Sequence, residues 1–228
     1  MKVRVFSKQF KNKTGYDIRI EDESATVQDY LDAINAYIDD EKLVRGENLT
    51  ACKGCDGCCW ERLPLTYIDI LNIQQAPGVR AAMTRGRPPL LEFLAKFTYV
   101  YVEGPAVDIT FGRKLHGACT WLEEEAGCCR NYAWRPLVCQ SFICSPSTKK
   151  AKELRSAIIN QGMDELVRQA IQATGRAGVI MVMHEAYDPV IDPADWPENP
   201  FSGKTRYDEV LLWDLCSGQL WGELRGNA

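Results

Sequence analysis

The chain has 228 residues, of which 46% are hydrophobic and 25% are charged, and its formal net charge is −4. This composition is that of an ordinary globular protein, so it excludes wholesale disorder, and the acidic balance argues against a broad nucleic-acid-binding surface. No apolar run approaches the ~20 residues that span a bilayer, and the charged N-terminal residues do not resemble a secretory signal, so we expect a cytoplasmic protein with no membrane association.

The N-terminal residues predict a β-hairpin followed by an amphipathic helix. Residues 3–6 and 16–20 alternate between polar and apolar side chains, on either side of a polar, turn-prone stretch. Thr26 can then cap a helix whose apolar residues recur at helical spacing. These residues are Val27, Tyr30, Leu31, Ile34 and Ile38. We expect residues 1–45 to form a ββα unit that serves as scaffold.

The middle of the chain predicts short helices and a second hairpin. Thr66 can cap a helix that runs to Gln75 and is ended by Pro77 and Gly78. The other predicted elements are a linker at residues 85–89, a helix at 90–97 and two strands at 98–102 and 106–111. We expect residues 46–148 to form the cysteine-cluster domain, because only one of the ten cysteines lies outside this range.

The C-terminal part of the chain is predicted to be mainly helical. Residues 149–173 have helical periodicity, with Gly162 as a point where the helix can be interrupted. Residues 179–183 form an apolar run too short to assign, and an amphipathic segment follows near Leu212. We expect residues 149–228 to pack on the cysteine-cluster domain. The fold class is therefore α+β, helix-rich, with short β-hairpins around a cysteine metal cluster.

The cysteines are clustered, which points to a metal site. They are Cys52, Cys55, Cys58, Cys59, Cys119, Cys128, Cys129, Cys139, Cys144 and Cys216. In a reducing cytosol, such clusters indicate metal ligands or catalytic thiols more often than disulfides. The run over residues 52–59 has successive two-residue spacings, with glycines that permit tight turns. If this run is extended, Cys58 and Cys59 point to opposite sides, which predicts two metal centres or one ligand beside a packed neighbour.

The identity of the metal stays open between zinc and iron. Zinc is usually held by paired C-x₂-C knuckles or by mixed cysteine and histidine ligands. The uninterrupted triple spacing favours a [4Fe–4S] cluster, and neither His116 nor His184 belongs to the pattern. Arg135 lies inside the second cysteine group, where its charge can compensate bundled thiolates.

The motifs CKGCDGCC, C-x-W-L and C-x-x-Y-x-x-R-P-x-x-C-x₄-C, together with the Thr66 and Asp69 helix start, resemble the CxxCxxCC (YkgJ-like) family of zinc- or iron-chelating cysteine-cluster proteins. The resemblance covers residues 52–144. It implies eight metal ligands, which are Cys52, Cys55, Cys58, Cys59, Cys119, Cys129, Cys139 and Cys144. It also places Tyr132 and Arg135 beside the cofactor, whereas Cys128 and Cys216 fall outside the pattern. Gln140 stands where the family commonly has an arginine.

Two functions are compatible with this resemblance. The first is a metal-binding protein whose iron–sulfur cluster or zinc has a structural or accessory role. The alternative is an iron–sulfur-dependent enzyme of redox or group transfer, because a flagellin lysine methylase resembles this family and is associated with such a cluster. The enzyme hypothesis predicts a pocket beside the sulfurs, made with the N-terminal ββα unit and the C-terminal helices. The sequence indicates no particular protein partner.

Overall fold

A computed structural model describes residues 1–40, 55–84, 88–177 and 182–226. Helices predominate over strands in these residues and the sheets are small, so the predicted helix-rich α+β class is confirmed. Cys52, residues 85–87 of the predicted linker and residues 179–181 of the unassigned apolar run lie outside the described residues. None of the helices in the described ranges combines the length and the apolar character that crossing a bilayer requires.

The N-terminal unit has the predicted hairpin and helix. Its elements are β1 (Val3–Phe10), β2 (Lys13–Ile20) and α1 (Val27–Asp40). The two strands pair antiparallel, with Val3 opposite Ile20. The predicted cap is present, because the Thr26 hydroxyl accepts a hydrogen bond from the Asp29 backbone N–H while the Asp29 carboxylate accepts from Thr26. The apolar stripe of α1 is buried against the hairpin and the C-terminal helices.

The middle of the chain contains one helix more than predicted. Its elements are α2 (Tyr67–Ile73), α3 (Pro77–Ala82), α4 (Pro89–Phe97), β3 (Thr98–Glu103) and β4 (Ala106–Phe111). Pro77 begins α3 instead of only ending the helix before it, because proline lacks an N–H that the first helical turn would leave unpaired. The helix capped by Thr66 thus ends before Pro77 as predicted, two residues short of Gln75, and α3 is an additional helix; the second hairpin is confirmed.

The rest of the chain is dominated by one long helix. Its elements are β5 (Leu122–Glu123), β6 (Cys128–Cys129), α5 (Leu137–Ser141), α6 (Lys149–Ala177), β7 (Glu185–Tyr187), α7 (Leu212–Leu215) and α8 (Gly218–Arg225). Helix α6 passes through Gly162 without a break, so the predicted interruption is wrong. A Cβ atom at Gly162 would lie 2.6 Å from Cγ2 of Thr66, so this glycine permits close packing instead.

Two hydrophobic clusters meet along α6. The first contains the N-terminal unit, α7 and α8, and includes Ile158. The second contains α2 to α4 with the sheet β4-β3-β7, in which β7 pairs parallel to β3, and it includes Leu166. Helix α6 therefore positions the cysteine-bearing segments relative to both clusters. The division into three units stays a prediction.

Gly15 lies directly against the segment that follows the last clustered cysteine. The backbone N–H of Tyr16 donates to the Pro146 carbonyl at 2.9 Å, and a Cβ atom at Gly15 would lie 2.0 Å from that oxygen. We expect Gly15→Ala to lower the free energy of unfolding by about 1–3 kcal/mol, because backbone must shift to accept the methyl group. Urea titration measures this loss.

The matched control for this prediction is Gly222→Ala. Gly222 lies in α8 with no heavy atom within 4 Å of an added Cβ. We expect this change to be neutral or to stabilise the protein by up to about 1 kcal/mol, since alanine favours the helix. Equal effects of the two substitutions would contradict the contact at Gly15.

The buried carboxylate of Glu92 makes the free energy of unfolding depend on pH in the acidic range. Its Oε1 atom accepts hydrogen bonds from Lys96 at 2.7 Å and from the N–H and hydroxyl of Thr84, both at 2.6 Å. These hydrogen bonds lower the pKa of the Glu92 carboxyl from 4.5 to about 2, and the bond from Lys96 has the largest effect. Because the depressed pKa belongs to the folded state, the stabilisation is present above pH 4.5 and is lost as the pH falls towards 2.

We therefore expect Glu92→Gln to flatten the fall in stability over this acidic range. The measurement is the unfolding midpoint in urea at several pH values for the wild type and the variant. Glu153→Gln is the control, because Glu153 is a partly exposed member of a helical Lys149–Glu153 pair. A wild-type slope that persists in Glu92→Gln would assign the acid sensitivity to other groups.

Candidate metal centre

Seven cysteine side chains line one cavity of about 260 Å³. They are Cys55, Cys58, Cys59, Cys119, Cys128, Cys129 and Cys139. Four separate segments supply them, so the arrangement depends on tertiary structure and not on one loop. The cavity thus gathers the described members of the predicted ligand set except Cys144, and it adds Cys128. Cys52 lies outside the described residues.

Cys58 and Cys59 face the same cavity because their segment is helical. The residues Gly57–Trp60 form a 3₁₀-helix, in which successive side chains are about 120° apart. Hydrogen bonding with Cys58, followed by burial, raises the pKa of the Cys59 thiol. The expectation of an extended run with these two side chains on opposite sides is therefore wrong.

Cys119 and Cys129 are held by backbone hydrogen bonds. The Cys119 N–H donates to the Cys59 carbonyl at 2.7 Å, while Cys129 lies opposite Leu122 in the short β5–β6 hairpin. The Trp121 N–H points to the Cys119 sulfur at 3.5 Å. Burial raises the pKa of both thiols, whereas the N–H of Trp121 at Cys119 and that of Asn131 at Cys129 act in the opposite direction. Backbone N–H groups two residues further on therefore stabilise negative charge on both sulfurs.

Cys139 is positioned by a buried carboxylate. Asp69 accepts hydrogen bonds from the Leu137 N–H at 2.7 Å and from the Tyr207 hydroxyl at 2.7 Å, and its other oxygen accepts from the Thr66 N–H at 3.0 Å. Leu137 is the first residue of α5, so Asp69 fixes the start of the helix that carries Cys139. Burial raises the pKa of Cys139 well above its usual value, and the nearby cysteines and Asp69 act in the same direction.

Arg135 and Tyr132 form one wall of the cavity. The Arg135 guanidinium lies 3.9 Å from the centre of the Tyr132 ring, and it donates to the Tyr132 carbonyl at 2.9 Å. It also donates to Asn35 Oδ1 of α1 at 2.6 Å. Gln140 supports this arrangement, because it accepts from Asn35 and donates to the Arg135 carbonyl. The positive charge of Arg135 is among the influences that lower the pKa of the Cys129 thiol against the effect of burial.

The histidines lie away from the cavity. His116 Nε2 is 3.0 Å from both carboxylate oxygens of Glu124, and His184 Nδ1 accepts from the Val100 N–H at 3.0 Å. Neither histidine lines the cavity. The potential metal ligands on its described walls are therefore mainly cysteine sulfurs. Among the described residues, no three His, Cys, Asp or Glu side chains converge on one point as the ligands of a single ion would. The described sulfurs surround a space instead.

Two cysteines are set apart from the others. Cys144 is exposed and lines a second cavity of about 480 Å³, to which Cys58 and Cys139 also contribute. Cys216 packs against the first hydrophobic cluster, where burial raises its pKa to about 12. Cys216 therefore lies in a setting typical of a buried structural thiol.

The enzyme hypothesis predicted a pocket lined by the N-terminal unit and by the C-terminal helices, and the described residues show only the first of these two contributions. Ile38 of α1 contributes to the cysteine cavity, so the N-terminal unit borders it. Within the described part of residues 149–226, no side chain lines the cavity.

Three residues that contact the site were not predicted from the sequence. They are Ile38, which lines the cavity, Asn35, which accepts from Arg135, and Tyr207, which donates to Asp69. The helical stripe explains the burial of Ile38, but no local pattern links Tyr207 to residues 138 positions earlier.

The comparisons with known proteins agree with the cysteine motifs. Residues 51–157, just under half of the chain, match the family model named CxxCxxCC, which is described as a "putative zinc- or iron-chelating domain". No curated protein and no solved structure matches the chain. The matched range contains every cysteine that lines the cavity, as well as Asp69 and Arg135. The similarity to the CxxCxxCC family model therefore covers residues 51–157, the segment that supplies the cysteines of the cavity.

Proposed function

We propose that the chain is a metal-binding protein whose cysteine cavity holds a [4Fe–4S] cluster. The observation that carries this proposal is the single cavity of about 260 Å³ lined by seven cysteines. The family description supports chelation of zinc or iron, and the geometry of the cavity favours the larger of the two kinds of group.

The donor set and the space fit a cluster better than one zinc ion. Four sulfurs that share a zinc ion each lie about 2.3 Å from it and so converge closely. The described cysteines instead border a space much larger than an ion, and they supply sulfur without histidine. Iron–sulfur clusters are held by cysteine thiolates, and N–H groups aimed at the sulfurs, such as that of Trp121, are typical of their surroundings.

A [4Fe–4S] cluster takes four thiolates, so we propose that its ligands are four among the cysteines that line this cavity and Cys52, which the motif places three residues before Cys55. Arg135 compensates the negative charge of the thiolates, and Tyr132 holds its guanidinium in place. A bound cluster can transfer single electrons. In a protein that does not use it for electron transfer, the cluster instead cross-links the chain segments that hold it. Because four segments meet at the cavity, a structural or accessory role is the one we propose.

We also propose the cytoplasm as the compartment. None of the nine cysteines in the described part of the chain forms a disulfide bond. Clustered thiols without disulfide bonds are stable where glutathione and thioredoxin maintain a reducing environment, and they are oxidised in exported proteins.

Anaerobic purification with metal analysis and an absorption spectrum on the same sample tests the function. We expect a brown protein with a broad band near about 400 nm, with iron and acid-labile sulfide in equal amounts. A colourless protein that holds stoichiometric zinc would overturn the cluster and leave a zinc-chelating domain. A protein without iron or zinc would overturn metal binding altogether.

A further inference from the structure

The second cavity adjoins the cysteine cavity through two shared side chains. Cys58 and Cys139 line both, so they stand between them, whereas Cys144 lines only the second. Cys144 is exposed, and the sulfurs of the inner cavity are buried or half-buried. A path of thiols thus leads from the surface to the proposed cluster site.

The wall of the second cavity also carries charge. Glu61 is exposed there and forms no ion pair with any described residue, whereas the neighbouring Arg62 lies 3.7 Å from the carboxylate of Asp108. The positive charge of Arg62 is therefore partly compensated, and the carboxylate of Glu61 remains available to attract a cation.

We propose that the second cavity is the entry port for ferrous ions, with Cys144 as the first acceptor. This inference rests on the proposed metal-binding function. An incoming ion binds the Cys144 sulfur and displaces the thiol proton to water. The bond to Cys144 then breaks as a bond to Cys58 or Cys139 forms, and the proton released there returns to the Cys144 sulfur. This passage between thiols requires no oxidant or reductant, because the ion stays ferrous from Cys144 to the inner cavity.

A transit role and a resident-ligand role give different results for Cys144→Ser. An entry thiol speeds passage in both directions, so its loss slows loading and release by the same factor and leaves the final iron content unchanged. The loss of a resident ligand instead lowers the final content. Cys216→Ser is the matched control, since it makes the same chemical change outside both cavities.

The experiment loads the metal-free full chain anaerobically with ferrous iron and sulfide and then removes the iron with a chelator. We expect Cys144→Ser to slow both steps about tenfold, because the positioned acceptor is lost. We expect Glu61→Gln to slow loading by about twofold or more at low salt and to reduce its salt dependence. Asp214→Asn, which removes an exposed charge outside both cavities, should load like the wild type.

Wild-type rates in Cys144→Ser would overturn the entry port while leaving the proposed function intact. A lower final iron content in that variant would also overturn it, because Cys144 would then be a resident ligand. A wild-type protein that takes up no iron would overturn both proposals.

Discussion

Cys139→Ser should strongly reduce the iron content of the protein and lower its unfolding temperature. Cys139 lines both cavities and lies on a helix whose start is fixed from the core, so its sulfur is among the best positioned of the set. If the substitution weakens binding about hundredfold, the loaded protein loses about 2.7 kcal/mol of stabilisation. Iron analysis and thermal unfolding of anaerobically purified protein measure the two effects.

The control separates ligand loss from loss of a buried thiol. Cys216→Ser removes a partly buried sulfur that packs against the first hydrophobic cluster, and it should keep the wild-type iron content. Cys52→Ser should behave like Cys139→Ser. If Cys139→Ser retained full iron, Cys139 would not be a ligand.

Asp69→Ala should be among the most destabilising single changes outside the cysteines. The carboxylate accepts from Thr66, Leu137 and Tyr207 while it is 2% exposed, so its removal leaves several buried donors without an acceptor. Each such donor costs about 1–3 kcal/mol, and we expect a total loss of about 3–5 kcal/mol in the free energy of unfolding. Chemical denaturation of metal-free protein isolates this effect from metal binding.

Two conservative variants test the explanation. Tyr207→Phe removes the hydrogen bond to Asp69 and the one with the Thr66 hydroxyl, and it should cost about 2 kcal/mol. Asp69→Asn keeps one accepting oxygen but turns an amide N–H₂ towards another donor, so its loss should lie between those of the other two variants. A Tyr207→Phe loss as large as that of Asp69→Ala would show that the carboxylate is not the centre of this network.

Local patterns in the sequence were sufficient for much of the fold. The hairpin at residues 3–20, the stripe from Val27 to Ile38 and the Thr66 cap each follow from interactions within a few residues, and each is present. The errors occur where packing decides between conformations that the local sequence permits. Gly162 permits a break, but the close approach of Thr66 uses it for helix packing instead.

The candidate site was predicted in part for the same reason. Spacing and family resemblance identified the cysteines, most of which meet at one cavity. The relative direction of Cys58 and Cys59 depends on a 3₁₀ turn that two-residue spacing does not specify. The separation of Cys144 and the hydrogen bond from Arg135 to Asn35 are products of tertiary structure, which no motif within residues 52–144 encodes.

The hydrogen bond from Tyr207 to Asp69 has a consequence for the timing of assembly during synthesis. The Asp69 oxygen that accepts from the Leu137 N–H at the start of α5 also accepts from the Tyr207 hydroxyl, and Tyr207 is made about seventy residues after Leu137. At about 5–20 residues per second, the ribosome needs roughly 4–14 s to add this stretch. The nine cysteines from Cys52 to Cys144 are therefore synthesised before the framework around Asp69 is complete, so we expect the nascent chain to present these thiols for several seconds and the proposed metal centre to mature only after Tyr207 has been added.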